Sequence, residues 1–206
     1  QNSYSRHGED MFVYDNFFSK RTAKGTYIDL GAGDGIQNSN TLAYEKKGWV
    51  GMLQEDEPSL FDEMVNNRNL DRNKVCNLEI GSKDTKLSEI LKATRTNKVD
   101  LLSIKSKPNV NDILTGMDWN VPIGVMIIYF DEKDPAKFDA RKLLKSKGYS
   151  LNTKYHDSEI WEGTDLENFD GNTIIGEKNV VTSPLTMATR AIMLFLVTEL
   201  VLNTSK

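Results

Sequence analysis

The chain reads as one α/β domain, a largely parallel sheet covered by helices on both faces, and three observations lead to that reading. Strand-like and helix-like patterns alternate along the 206 residues instead of segregating into blocks. Strand-like pieces are largely apolar, unbroken in Ile123–Phe130 and interrupted in Val99–Ile104 only by Asp100 and Ser103, which is the pattern of strands buried on both sides. Finally, hydrophobic residues make up 38% and charged residues 27%, enough to bury a core in a chain of single-domain size.

The elements follow in order. Thr26–Leu30 is the first strand and runs into a glycine-rich turn. Ser39–Lys47 reads as a helix, with Ser39 as N-cap and Gly48 as the stop. Trp49–Gln54 is the second strand. Ser59–Asn67 carries Leu60, Phe61, Met64 and Val65 at helical spacing, and Lys74–Ile80 returns to strand. Leu87–Ala93 is a helix, Val99–Ile104 the fourth strand, Asn111–Gly116 a short helix and Ile123–Phe130 the fifth strand. Lys137–Lys147 is amphipathic and stops at Gly148; strand-like pieces follow at Tyr149–Tyr155 and Asn172–Ile175.

The segment 183–206 stands apart from the domain at 1–182. Ser183-Pro184 is a helix start, and Ala191–Val197 is almost unbroken apolar sequence. A helix this apolar needs cover, from the sheet, from a second copy of the chain or from a membrane surface contacted through residues 185–202. Arg190 and Glu199 leave its uninterrupted part short of the roughly 20 residues a membrane span requires.

Composition excludes several functions. With 26 Lys and Arg against 30 Asp and Glu, the net charge of -4 gives no overall basic field, so no dedicated nucleic-acid binding is expected. Cys76 is the single cysteine and cannot form an internal disulfide, and with only His7 and His156 a Cys/His zinc site is ruled out; no metal is expected. No basic segment followed by an apolar one stands at Gln1, so no signal peptide is visible in this numbering; the compartment is left open, because a signal can be removed, with the cytoplasm slightly favoured.

Chemistry concentrates where the first strand ends. Asp29-Leu30-Gly31-Ala32-Gly33-Asp34-Gly35 supplies glycines that let a chain turn sharply and let a ligand lie against bare main chain. Glu55, at the end of the next strand, stands about where an acidic residue meets ribose hydroxyls in nucleotide-cofactor folds. A dinucleotide fingerprint would need glycine at Ile36, so a cofactor without phosphates is the better fit than a pyrophosphate. Asp29 suits a cationic ligand, such as the sulfonium and amino groups of S-adenosylmethionine, and Glu55 can accept both ribose hydroxyls. The structural alternative is a tight strand-to-helix connection. An NAD-linked oxidoreductase is a distant functional one.

These and further segments resemble the FkbM-type methyltransferases, a branch of the Rossmann-like class I enzymes that use S-adenosylmethionine. Tyr4-Ser5-Arg6-His7-Gly8-Glu9-Asp10 resembles that family's Y-S-Q-x-G-E-D opening, and Ile28–Gly35 its D-I-G-A-x-D-G. Ser39-Asn40-Thr41, Glu45, Gly48-Trp49-Val50-Gly51, Glu55 and Pro58 resemble its S-N-T…E…G-W-x-G…E-P run. Val99–Ile104 and Leu114–Trp119 resemble the fourth-strand region, and the likeness covers roughly residues 4 to 175. The resemblance implies a mostly parallel seven-stranded sheet in the order 3-2-1-4-5-7-6. It also implies methyl transfer to a small-molecule or sugar hydroxyl, with the cofactor held by Asp29, Gly31, Gly33, Asp34, Asn40 and Glu55.

Three places depart from the family: Arg6 replaces its glutamine, Ile128-Tyr129-Phe130 is neutral where Ile-Glu is expected, and the stretch after the fourth strand is rewritten. Where D-V-E-G-x-E is expected after Ser103-Ile104, the chain has Lys105-Ser106-Lys107-Pro108-Asn109-Val110. A carboxylate there would face the acceptor oxygen as base or metal ligand, and a lysine at its ordinary pKa does neither. Lys105 and Lys107 are therefore the candidate catalytic residues under three readings. They recognise an anionic acceptor in an enzyme that works by placement; one of them is a desolvated base; or catalysis is lost and the chain is a binding or regulatory module. Asn77 and Glu79 stand where adenine would be held. Trp49 and Phe61 read as core, His7 and His156 as surface, and Asp56 and Glu57 as solvated neighbours of Glu55.

Overall fold

The computed structural model describes residues 2–83, 85–105 and 110–163, together with two short strands at 181–182 and 193–195. The strands are β1 (Thr26–Leu30), β2 (Val50–Gln54), β3 (Asn73–Cys76), β4 (Val99–Ile104), β5 (Ile123–Tyr129), β6 (Ser150–Tyr155), β7 (Ser158–Glu162), β8 (Val181–Thr182) and β9 (Met193–Phe195). The helices are α1 (Glu9–Val13, continued by a wide π turn over Tyr14–Phe18), α2 (Leu42–Lys46), α3 (Pro58–Asn67), α4 (Leu87–Ala93), α5 (Val110–Thr115) and α6 (Ala136–Ser146).

The strands form one sheet in the order β6-β7-β5-β4-β1-β2-β3-β9-β8. Its first seven members stand in the order expected from the sequence. Neighbours among β1 to β5 pair in parallel, while β7 runs antiparallel to both β5 and β6. Parallel strands need crossovers, and α2, α3, α4 and α5 supply them, which is why the central strands have apolar residues on both sides. Alternation along each strand then splits the core in two. Ile28, Leu30, Leu102, Ile104, Met126 and Ile128 pack with the buried faces of α4, α5 and α6. Tyr27, Leu53, Leu101, Val125 and Ile127 pack on the other side with Val13, Tyr44, Trp49, Phe61 and Met64.

Differences from the sequence reading have local causes. The helix expected from Ser39 begins at Leu42 with Thr41 in the N-cap position; the Ser39 hydroxyl, three residues before the helix, accepts the Leu42 N–H at 3.0 Å. The third strand stops at Cys76, not Ile80. The seventh strand is Ser158–Glu162 and was missed; the one expected at Asn172–Ile175 lies outside the described residues. The apolar stretch expected as a helix over 183–206 is corrected at Met193–Phe195, which is a strand paired antiparallel with Val75 and Cys76 of β3. The remainder of that stretch, and the membrane or self-association contact expected of it, lie outside the described residues.

Candidate active site

The carboxyl ends of β1, β2 and β4 converge, and the glycine turn crosses above them. Gly31 and Gly33 have φ of +76° and +62°, values a side chain resists, and a Cβ built on Gly33 would find nothing within 4 Å. Their amide protons are already placed: Gly31 N–H points to Gln54, and Gly33 N–H donates to Glu55 Oε2 at 2.8 Å. Glu55 is 6% exposed, and its other oxygen accepts the Glu57 N–H at 3.0 Å. The carboxylate at the end of β2 therefore grips the glycine turn, and a carboxylate with two such bonds keeps lone pairs for further donors. Asp34 folds back on its own loop, accepting the N–H groups of Ile36 and Gln37 at 2.8 Å each. That is turn chemistry and occupies one of its oxygens.

Beneath the turn lies a buried polar network that sequence reading missed. Arg68, at the end of α3, has a fully buried side chain; its Nε donates to Glu45 at 2.7 Å, and its other nitrogens reach the Gly35 carbonyl at 3.2 Å and the Thr41 hydroxyl at 3.3 Å. Burial works against the Arg68 cation, but the Glu45 carboxylate bonded to it helps hold the guanidinium above its ordinary pKa. Burial likewise pushes the Tyr27 phenol well up, so it stays neutral and donates to Asn73 at 2.6 Å. Thr41 passes the network onward, its hydroxyl donating to Asp29 Oδ2 at 2.7 Å. Asp29 is fully buried, and its Oδ1 has no hydrogen-bond partner. No sequence signal pointed to Arg68, because its partner Glu45 lies in a different helix and their pairing is purely tertiary.

The acceptor side is different in kind. Lys105 Nζ stands 3.8 Å from Asp29 Oδ1 and donates to the Asn38 carbonyl at 3.1 Å. Asn40 is buried beside it and donates to Ser103, the register partner of Asp29 on β4. A cleft of about 190 Å³ opens here, lined by two cations, Arg6 and Lys105, two acids, Glu9 and Asp157, and neutral polar residues that include Asn38 and Asn40. The amino-terminal segment closes one side, held by Asp10, whose carboxylate gathers the Tyr4 and Met11 N–H groups at 2.8 Å. His7 and His156, expected as unrelated surface residues, stack at 4.5 Å between ring centroids, and Asp157 binds Arg6 at 3.1 Å.

Other expectations sort as follows. Lys107 lies outside the described residues. Trp49 and Phe61 are core. Asn77 is spent on the main chain, donating to the Glu55 carbonyl at 2.8 Å. Glu79 borders a separate, larger opening of about 480 Å³ between the segment after β3 and α5, whose walls include no residue of the glycine turn. Burial pushes the Cys76 thiol up to about 12, so it is no nucleophile.

No family model matches the sequence, and no curated protein does. Solved structures match by shape. A TehB-like S-adenosylmethionine-dependent methyltransferase from Corynebacterium glutamicum superposes with a TM-score of 0.51 at 12% identity, over 78% of this chain and 89% of that one. A putative S-adenosylmethionine-dependent methyltransferase from Listeria monocytogenes gives 0.50 at 10%, over 76% and 99%. Monomeric WbdD gives 0.54 at 14%, over 75% of this chain and 40% of that one. The fold is the Rossmann-like fold of class I methyltransferases. At these identities the likeness speaks for architecture and leaves the chemistry to the site.

Proposed function

We propose that the chain is an S-adenosylmethionine-dependent methyltransferase of FkbM type that methylates a hydroxyl of a small molecule or glycan. The observation that carries this reading is the junction of Gly33 and Glu55, an open glycine turn gripped by a carboxylate at the neighbouring strand end, on a sheet of methyltransferase order. The residues present fit the cofactor. Bare main chain at Gly33 leaves the room a Cβ would take, Glu55 offers acceptor lone pairs to ribose hydroxyls, and the orphaned Asp29 Oδ1 is a buried acceptor suited to an ammonium group.

When bound, S-adenosylmethionine supplies an electrophilic methyl group on a sulfonium sulfur. The chain's own residues do the rest by holding and excluding. Glu55 and the turn at Gly31 and Gly33 fix the nucleoside, and Asp34 keeps the loop in shape. Asn40, anchored on Ser103, borders both the turn and the cleft. Lys105 acts as a hydrogen-bond donor here, bonded to Asn38, which favours a binding role over that of a base. In-line placement, worth several kcal/mol in favourable cases, is then the main catalytic device.

Titration calorimetry with S-adenosylmethionine and S-adenosylhomocysteine tests the reading. Saturable heat for both, weakened more than about tenfold by Glu55→Ala, is the expected result; no heat for either overturns it. Lys105 in place of the family's carboxylate also supports a second reading, a binding module without turnover. Release of S-adenosylhomocysteine with pooled acceptors separates the two.

A further inference from the structure

We infer that the Lys105 ammonium is a built-in stand-in for the cofactor's α-ammonium: it answers the charge of Asp29 and has to swing into the cleft before the amino-acid end of S-adenosylmethionine can seat. The inference deepens the methyltransferase reading and rests on it.

Asp29 is the fixed half of the device. Its side chain is fully buried at the end of β1, and the Thr41 hydroxyl, itself reached by Arg68, binds Oδ2 at 2.7 Å. That pins the carboxylate and leaves Oδ1 with no hydrogen-bond partner. A buried carboxylate with an unsatisfied oxygen needs a cation beside it. Arg68 does not serve, because its Nε is closed on Glu45 at 2.7 Å. The cation facing Asp29 Oδ1 is Lys105, with Nζ at 3.8 Å.

Lys105 is the movable half. Its main-chain N–H is fixed to the Leu30 carbonyl at 2.9 Å, while Nζ makes one hydrogen bond among the described residues, to the Asn38 carbonyl at 3.1 Å. Its contact with Asp29 is charge attraction beyond hydrogen-bond distance, a weaker hold than an ammonium bonded directly to Oδ1 would have. An ammonium arriving at Oδ1 meets Lys105, and two like charges at one carboxylate oxygen repel strongly where little water screens them. Lys105 has somewhere to go. Its side chain is 20% exposed and lines the cleft, whose acids Glu9 and Asp157 offer the displaced charge a counter-ion.

Cofactor affinity is then set by the exchange of one ammonium for another. Removing Lys105 should tighten binding, the reverse of what a lysine that anchors the cofactor's carboxylate would do.

Calorimetry on the whole chain tests this with two ligands, S-adenosylhomocysteine and its deaminated analogue, in which hydrogen replaces the α-ammonium. With the wild-type chain the two should bind within about threefold of each other, because the ammonium gained at Asp29 is offset by the one displaced. Lys105→Met should tighten S-adenosylhomocysteine about tenfold without tightening the analogue, so that coupling shows only where both ammonium groups are present. Lys105→Gln, which keeps a donor for Asn38, gives the same comparison if the methionine variant does not fold. Unchanged or weakened binding of S-adenosylhomocysteine in these variants, an equal gain for the analogue, or a wild-type preference for S-adenosylhomocysteine above about tenfold overturns the inference and leaves the methyltransferase reading standing. No heat from either ligand, with the wild-type chain and the variants alike, removes the methyltransferase reading and the inference with it.

Discussion

The two ends of the site are built by opposite means. At the glycine turn the ligand-facing surface is main chain, held from below by a buried network in which Arg68, Glu45, Thr41 and Asp29 each satisfy a neighbour. At the cleft the surface is side chains, several of them charged and partly exposed, carried on an amino-terminal segment and a hairpin that meet through Arg6 and Asp157. A cradle of buried backbone suits a part that the proposed methyltransferase would use unchanged in every turnover. A rim of exposed side chains can be rewritten without unfolding the domain, and that is where the sequence differs from the FkbM pattern it resembles, at Lys105. Rigidity and variability are thus divided between the two ends by burial.

Breaking the buried end should have the largest effect. Arg68→Met leaves the Glu45 carboxylate buried without its cation, a loss of about 3–5 kcal/mol by the usual cost of breaking such a pair. Urea unfolding should record it, with S-adenosylhomocysteine binding lost in parallel. Thr41→Val keeps shape but removes the one hydrogen bond to Asp29, leaving a buried carboxylate unsatisfied at about 1–3 kcal/mol. Thr41→Ser should restore both stability and cofactor affinity; equal losses for valine and serine would mean that packing, not the hydroxyl, matters.

Gly33→Ala sharpens the contrast in another way. The left-handed backbone makes alanine cost about 1–2 kcal/mol in stability, while the open space above accepts the methyl. Cofactor affinity should therefore fall further than thermal stability does, and calorimetry beside a thermal melt reads both.

The smallest effect belongs to the exposed ion pairs below the hairpin. Glu132 is held down to about 2 by hydrogen bonds from Lys154 and Lys137. A carboxylate depressed in the folded state contributes stability above its unfolded pKa and loses it as pH falls through the folded one. Because Glu132 is half exposed, Glu132→Gln should cost under about 1 kcal/mol at neutral pH. That difference should vanish between the ordinary carboxylate range and pH 2; a difference that persists in acid would mean the glutamate acts through packing.

Much of the fold was legible because the central strands are short, apolar and punctuated. Val99–Ile104 lies within the observed sheet to the residue, and Gly48 and Gly148 stop the helices assigned to them. The seventh strand was not legible. Ser158–Glu162 carries two glutamates, and Glu159 is buried with its carboxylate bonded by Arg141 of α6 and by the Trp161 indole. At Met193–Phe195 the sequence offered a short apolar run, which periodicity cannot assign to helix or strand; the free edge of β3 decided it. His7 and His156 looked unrelated because nothing in a sequence places residues so far apart ring against ring.

By itself, the sequence determined the α/β alternation, the glycine turn at the end of the first strand, the acid that follows it at Glu55 and the lysine at the end of the fourth. These are local or short-range facts, set by apolar spacing, backbone freedom and residue identity. Only the tertiary structure decided that Arg68 underlies the turn, that Asp29 is left with one unpaired oxygen, and that Lys105 and Arg6 face one cleft. Those depend on which side of the sheet each chain segment returns to, a choice made by closing the core around all the strands at once.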